Sequence, residues 1–212
     1  MQKRLFLLIV VLMGTLLFYF SCEEKGVEKI TAGELIEKGW AKFEAGNSAG
    51  AGSDFSAALS IATITHDSSE ALLGLGWAEL RQSQVGLAEN SFVKYLLLAP
   101  GVNDGRAGLA FAYAASVTGK FREAIDTANV VLASDSTWKF GHDNSINYIY
   151  LHLQLAQCYY LIADFSSSLD QVKGYLVPTY DPGWDVDTTQ DNWWDLLGKE
   201  IEFLWDKIVL GQ

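Results

Sequence analysis

The residues best suited to chemistry lie near the carboxyl end, where acidic and small polar side chains alternate. Four of these oxygen-bearing side chains are spaced as calcium ligands could be, and they are Asp185, Asp187, Thr189 and Asp191. Calcium prefers several carboxylate and carbonyl oxygens held by a loop that also contains a glycine and a late carboxylate. Because Gln190 and Leu196 stand at those two positions, the set is incomplete. We predict no metal site, and the sequence leaves open whether this acidic loop binds calcium.

No other group of residues forms a catalytic motif. His66, His142 and His152 are far apart, and no HExxH, paired-cysteine or Ser/His/Asp motif accompanies them. Cys158 has no base near it in sequence that would generate a thiolate, so a packing role in a helix is expected. His152 lies between two leucines and is expected to be a partly buried polar neighbour. We predict a protein that is not an enzyme and needs no cofactor.

Aromatic residues at helical spacing are the stronger candidates for a binding surface. Eight positions form the predicted groove: Ile36, Trp40, Phe43, Leu73, Trp77, Leu80, Tyr113 and Tyr160. Residues three and four apart share one face of a helix, so the first six form two apolar stripes. An apolar, aromatic floor of this kind suits a peptide helix or an extended segment. The alternative is that the stripes are buried between helices.

The helices that would carry these stripes come from an internal repeat. Small and aromatic residues recur at matching offsets, and Ala88 and Ala124 are 36 residues apart. Upstream and downstream copies bring the number of units to four. Small residues allow two helix backbones to approach closely, and a period of this length is typical of stacked helix pairs.

The sequence from Gly74 to Pro100, GLGWAELRQSQVGLAENSFVKYLLLAP, resembles a tetratricopeptide repeat. The sequence GKFREAIDTANVVLA resembles the second half of another repeat. The resemblance covers residues 32–178 and implies an all-α, TPR-like superhelix (a solenoid) of about four helix pairs. It also implies that the concave side binds a protein partner. Tyr95 and Tyr175 depart from the family, which prefers alanine at these positions.

Capping signals predict several helix boundaries. Thr31 with Glu34 forms a capping box for the first helix, and Asn103 or Asp104 is expected to cap a later one. The connection Ser134–Ser145 contains aromatic residues that we expect to pack under the following helix, predicted over residues 146–162. A last helix over residues 192–210, capped by Asp191, is expected to cover the open end of the superhelix.

The amino terminus has the pattern of a secretory signal. Lys3 and Arg4 precede an uncharged apolar run that ends at Phe20. Ser21 and Cys22 resemble a bacterial lipoprotein processing site, which implies lipidation of Cys22 and removal of residues 1–21. Several acyl chains on one cysteine would hold the chain on a bilayer. The expected location is the bacterial cell envelope, with the outer membrane favoured; an uncleaved signal anchor is the alternative.

Net charge argues against a nucleic-acid partner. The formal charge is −11, and loss of Lys3 and Arg4 would make it −13. Binding to a phosphate backbone requires clustered lysine and arginine, and the sequence contains no such stripe. Acidity of this kind mainly favours solubility.

Two functions follow. The favoured one is a lipid-anchored scaffold that docks a protein partner in an envelope assembly. The alternative is a surface glycan-binding or nutrient-uptake accessory lipoprotein, in which Trp184, Trp193 and Trp194 stack on sugar rings. The predicted segments are 1–21 (signal peptide), 22–31 (tether), 32–178 (repeats) and 179–212 (acidic tryptophan-rich loop and capping helix).

Overall fold

The computed structural model describes residues 29–211, and from Thr31 onward they form four antiparallel helix pairs and a terminal helix. The pairs are α1 (Ala32–Glu44) with α2 (Ser48–Ile61), α3 (Thr65–Arg81) with α4 (Val85–Leu98), α5 (Asn103–Ala114) with α6 (Phe121–Ser134), and α7 (Tyr148–Leu161) with α8 (Phe165–Gln171). The other elements are β1 (Lys139–Phe140), β2 (Asp143–Asn147), α9 (Val177–Tyr180) and α10 (Trp193–Trp205), with π-helical turns at Val172–Leu176 and Asp206–Leu210. The predicted all-α superhelix is confirmed. Cys22 and the predicted signal peptide lie outside the described residues.

Consecutive pairs nest because an aromatic ring of each second helix sits against glycines. A Cβ atom added at Gly39 or Gly74 would lie 2.6 or 2.3 Å from the ring of Phe55 in α2. In the same way, a Cβ atom added at Gly76 of the same pair, or at one glycine of the next pair, would lie against the ring of Phe92 in α4. Each ring therefore fills the space that two missing side chains leave, and this close approach holds one pair against the next.

The first two helices begin after side-chain caps, and the first of these caps was predicted from the sequence. The backbone amide of Glu34 donates to Oγ1 of Thr31 at 3.2 Å, and the amide of Thr31 donates to Oε2 of Glu34 at 2.7 Å, which confirms the capping box. Oδ1 of Asn47 accepts from the amide of Gly50 at 2.9 Å and caps α2. Gly46 joins the two helices with a φ of 81°, in the left-handed region that glycine adopts at little cost.

Two other predicted caps are wrong. Helix α5 is preceded by Val102, which makes no side-chain cap. Asn103 instead accepts from the hydroxyl of Ser134 at 2.9 Å, and Asp104 accepts from another segment. Helix α10 begins after Asn192 rather than after Asp191, again without a side-chain cap.

The connection between α6 and α7 contains a β-hairpin that the sequence analysis did not predict. Strands β1 and β2 are antiparallel, with Lys139 opposite Asn147 and Phe140 opposite Asp143, and an irregular register between the two pairs. Helix α7 consequently starts at Tyr148, two residues later than expected. The aromatic side chains of this connection do not pack under α7 alone, because the hairpin reaches back across the earlier helices.

The first helices form the inner side of the superhelix. Helices α1, α3, α5 and α7 contact one another in succession, whereas the second helices of neighbouring pairs pack mainly against first helices. Helix α10 packs on α7 and closes a separate apolar cluster around Leu153, Leu197 and Leu204. Within residues 29–211, none of the helices has the length and apolar character needed to cross a bilayer.

Candidate functional site

The hairpin fills the inner face of the first two pairs. The ring of Phe140 lies 6.0 Å from Trp40, 6.0 Å from Phe43 and 4.4 Å from Trp77, measured between ring centroids. Phe140 itself is completely buried. The aromatic floor predicted from the sequence therefore exists, but a segment of the same chain covers it.

One side chain at the tip of the hairpin, His142, attaches it to α1 through two contacts. The imidazole of His142 stacks on the indole of Trp40, with centroids 3.7 Å apart and an interplanar angle of 1°. Nδ1 of the same histidine lies 2.8 Å from Oε1 of Glu44. The tip is thereby fixed to the first helix by both packing and a polar contact.

An arginine of α3 fixes the other side of the hairpin. The guanidinium of Arg81 pairs with the carboxylate of Asp143, donates to the backbone oxygen of Phe43 at 2.6 Å and lies 3.5 Å above the ring of that phenylalanine. Burial opposes ionisation of Asp143. Hydrogen bonds from the hydroxyl and amide of Ser145, together with Arg81, outweigh that effect and lower the pKa of Asp143. The charge of Arg81 is thus balanced within the fold.

The base of the hairpin is held by α5. The indole Nε1 of Trp138 donates to Oδ1 of Asp104 at 2.8 Å, and the amide of Tyr148 donates to the backbone oxygen of Trp138 at 2.8 Å. Burial raises the pKa of Asp104, against the lowering effect of the Trp138 hydrogen bond. The hairpin therefore contacts three successive first helices.

The eight predicted groove residues divide into two groups. The buried group is Ile36, Trp40, Phe43, Leu73 and Trp77, and the half-buried group is Leu80, Tyr113 and Tyr160. The buried residues belong to the core, so the prediction of an open floor at these positions is corrected. Leu80 borders a cleft that remains open beside the hairpin. Tyr113 lies under Lys120, whose Nζ is 5.3 Å from the ring centroid, and Tyr160 packs edge-on against Phe165.

A cleft of about 340 Å³ opens on the inner face next to the hairpin. Its lining residues are Trp77, Leu80, Arg81, Phe111, Ala114, Ala115, Ile146, Tyr150, Gln154, Gln157 and Trp205. They come from α3, α5 and its C-cap Ala115, α7, β2 and α10, so no local sequence pattern could have identified the set. Phe111 and Tyr150 could have been found from their inner positions on first helices, whereas the contribution of Trp205 depends on how α10 folds back. We call this space the inner cleft.

Aromatic rings form one wall of the inner cleft. The centroids of Phe111 and Tyr150 are 4.8 Å apart, and those of Tyr150 and Trp205 are 5.7 Å apart. Burial raises the pKa of the Tyr150 hydroxyl. Behind the wall, Nε2 of Gln154 donates to the backbone oxygen of Ala110 at 2.8 Å. Among the described residues, neither Oε1 of Gln154 nor the buried Nε1 of Trp77 has a hydrogen-bond partner.

A second, shallower cleft of about 540 Å³ lies between α7 and α10 and is lined mainly by polar side chains. The tryptophans predicted to bind sugar do not line this cleft, and two of them, Trp193 and Trp194, lie at the start of α10. Trp193 and Trp194 both pack against Phe165, at centroid distances of 6.1 Å, while Trp184 is half-buried. Trp194 keeps 41% of its surface exposed. Part of this aromatic surface is therefore used in packing.

The side chains considered as metal ligands or nucleophiles are buried or make contacts within the fold. Asp185 pairs with Lys173, and Asp187 accepts from the amide and hydroxyl of Thr189. No cluster of histidine, cysteine, aspartate and glutamate suited to a metal occurs within residues 29–211. Cys158 is buried, and burial raises the pKa of its thiol to about 12. Nδ1 of His152 lies 2.8 Å from Oε1 of Gln171.

The sequence matches no protein-family model and no curated protein. Three solved structures are similar in fold. A thermophilic TPR protein of Thermus thermophilus has a TM-score of 0.55 at 17% identity, covering 85% of this chain and 82% of its own. MamA of AMB-1 has a TM-score of 0.55 at 18% identity, covering 77% of this chain and 80% of its own. A tetratricopeptide repeat protein from Parabacteroides merdae has a TM-score of 0.54 at 14% identity, covering 85% of this chain and 66% of its own. The chain therefore has a TPR-like fold, in agreement with the spacing of its repeats.

Proposed function

We propose that this protein is a non-catalytic scaffold that binds a protein partner on the inner face of its superhelix. The inner cleft carries this proposal, because it is the part of that face left open by the hairpin and by α10, and it is lined by aromatic rings. Concave, mostly apolar sites with a few polar groups are the usual places where proteins bind ligands. The TPR-like fold supports this role, because stacked repeats create concave surfaces that such proteins use for binding.

The scaffold acts in the bacterial envelope, where lipid on Cys22 holds it to the membrane. The sequence Ser21-Cys22 after an apolar run supports this part of the proposal. Mass spectrometry of the purified chain should find a mature protein that begins at Cys22 with an added diacylglyceryl group. The Cys22→Ala variant should lose that mass. An unmodified Cys22, or an intact signal segment in the mature protein, would refute the anchor.

Site-specific photocrosslinking tests the binding role. A short aliphatic diazirine amino acid, small enough to leave the cleft open, is placed at Ala115 on the border of the inner cleft, and the same group at Val130 lies on the exposed surface of α6. In native membranes we expect one discrete protein adduct from position 115 and none of that size from position 130. Identical adduct patterns at the two positions, or none at 115, would remove the support for a partner on the inner face.

The exposure of Trp194 keeps a glycan-binding role as the second candidate. In this alternative Trp184, Trp193 and Trp194 stack on sugar rings. A glycan array would then show binding that Trp194→Ala abolishes. Retention of binding in that variant, or an array without any signal, argues against this function.

A further inference from the structure

The inner cleft differs from an open groove because two segments of the chain already occupy the rest of the inner face. The hairpin lies over α1 and α3, where Phe140 packs between Trp40 and Trp77. Helix α10 packs on α7 and brings Trp205 against Tyr150. A peptide cannot therefore run as a continuous strand over all four pairs. The inner cleft is a compact space between the two covered regions.

The size and charge of this space restrict its occupant. Its volume of about 340 Å³ is at the lower end of the range of about 300–1,000 Å³ that small ligands occupy. Arg81 is the one charged side chain among the described residues that line it, and Asp143 already balances that charge. The other polar side-chain groups of its lining residues are uncharged: the amides of Gln154 and Gln157, the hydroxyl of Tyr150 and the indole N–H groups of Trp77 and Trp205. A charged group would lose water here without gaining a partner of opposite charge.

The packing of the hairpin shows which kind of side chain the inner face binds. At the neighbouring position the inserted hairpin presents one aromatic side chain, Phe140, to the indole of Trp77, with the rings stacked at 4.4 Å and 25°. Trp77 also borders the inner cleft, where Phe111 and Tyr150 offer further rings. Aromatic pairs gain energy from offset and edge-to-face contacts in addition to the area that they bury.

We infer that the inner cleft receives a single uncharged aromatic side chain, carried on a protruding turn of the partner protein, beside the position that Phe140 occupies. This inference rests on the proposed function and specifies the part of the partner that the cleft recognises. The partner contributes a bulky apolar tip to the cleft, as the chain's own hairpin does next to it.

Binding of amino-acid amides to the full chain tests this specificity without knowledge of the partner. The chain, in lipid nanodiscs and labelled at alanine and isoleucine methyl groups, is titrated with N-acetyl-tryptophanamide, N-acetyl-alaninamide, N-acetyl-aspartic acid amide and methyl glucoside. We expect saturable shifts of the methyl signals of Ala114, Ala115 and Ile146 with the tryptophan amide. Its affinity should exceed that of the alanine amide by about tenfold. Tighter binding of the aspartate amide or the glucoside, or no saturable shift at all, would overturn the inference.

A matched pair of variants locates the site. Ala115 is exposed at the end of α5 and borders the cleft, so Ala115→Trp should fill the space and abolish the tryptophan-amide shifts. Val117, two residues further on, is fully exposed and does not line the cleft, so Val117→Trp should leave the shifts unchanged. Shifts that persist in a folded Ala115→Trp variant contradict the inference. If that variant does not fold, the titration of the unaltered chain alone tests the inference. A partner crosslinked at position 115 without any binding of the tryptophan amide would retain the proposed function and refute this inference only.

Discussion

At the level of single residues, glycines determine how closely consecutive helices approach in the first half of the superhelix. Phe55 is completely buried between Gly39 and Gly74, and its ring has no free space on either side. A methyl group at one glycine would have to displace a ring that the other glycine confines. The aromatic residues of the second helices and the glycines of the first helices therefore depend on one another.

The variant Gly74→Ala tests this dependence. Its Cβ atom would lie 2.3 Å from the ring of Phe55, so we expect the free energy of unfolding to fall by about 1–3 kcal/mol through overpacking. Urea denaturation followed by circular dichroism measures the change. Gly33→Ala is the matched control, because Gly33 lies in α1 with no atom within 4 Å of the added methyl group. This control should be neutral or stabilising by about 0.5–1 kcal/mol. Equal effects of the two substitutions would show that the helix pairs do not pack tightly around Phe55.

A buried carboxyl group on α10 makes the stability depend on pH. Burial, and secondarily the charge of Asp181, raise the pKa of Glu200 from 4.5 to about 7. The carboxyl ionises at lower pH in the unfolded chain than in the folded one. The folded state therefore loses stability as the pH rises from about 4.5 through about 7, and the full penalty applies above that range.

Replacing this group by its neutral isostere should remove the penalty. At pH 8.5 we expect Glu200→Gln to be more stable than the unaltered chain, by on the order of 1–3 kcal/mol in the free energy of unfolding. At pH 4 the two proteins should be equally stable. Urea denaturation at both pH values measures the difference, and Glu202→Gln, at an exposed position of the same helix, serves as control. A gain that is the same at pH 4 and pH 8.5 would rule out titration of Glu200 as the cause.

At the level of elements, the β-hairpin is the part of the fold that most affects the binding face. Its attachment through Asp143 and Arg81 depends on ionisation of the carboxyl group. Because the pKa of Asp143 is lowered in the folded state, the stabilisation is complete above the ordinary value of 3.8 and is lost as the pH falls through the lower folded value. Acid should therefore weaken the attachment of the hairpin.

The variant Asp143→Asn keeps an oxygen for the hydrogen bonds from Ser145 but leaves Arg81 without its anionic partner. We expect a loss of about 1–2 kcal/mol in the free energy of unfolding at pH 7, which becomes smaller toward pH 3. Denaturation in urea at the two pH values gives both numbers. Asp170→Asn changes an exposed aspartate on α8 and should have little effect. A loss that does not change with pH would mean that the charge of Asp143 is unimportant.

The repeat period predicted the helix pairs because small residues at a fixed spacing are a local and repeated signal. Ala88 and Ala124, aligned from the sequence alone, are both completely buried at corresponding positions, and so is Ala51 in the first pair. The hairpin gave no such signal, since a strand of two residues is too short to show alternation. Its attachment also depends on contacts between distant residues, such as His142 with Glu44, which are 98 positions apart. For this reason the sequence identified the inner aromatic residues but not the segment that covers them.

At the scale of the whole molecule, the hairpin changes how the pairs depend on one another. In a simple solenoid each unit contacts only its neighbours, and the terminal units open first. Here the hairpin follows the third pair in sequence, yet it contacts Trp40 in the first pair, Trp77 in the second and Asp104 in the third. The first pair is thus stabilised by a segment that belongs neither to it nor to its neighbour.

Removal of the central ring of the hairpin should separate the opening of the first pair from the unfolding of the rest. We expect Phe140→Ala to lower the free energy of unfolding by about 3–5 kcal/mol, because a completely buried phenylalanine leaves a cavity. In native-state hydrogen exchange, the amides of α1 and α2 should lose more protection than those of α7 and α8, because α1 loses a long-range contact as well as local packing. Lys139→Ala, at the exposed neighbouring position of the same strand, should leave both regions unchanged. If protection falls equally in all four pairs of the Phe140→Ala variant, the superhelix unfolds as one unit and the hairpin has no special role in holding the first pair.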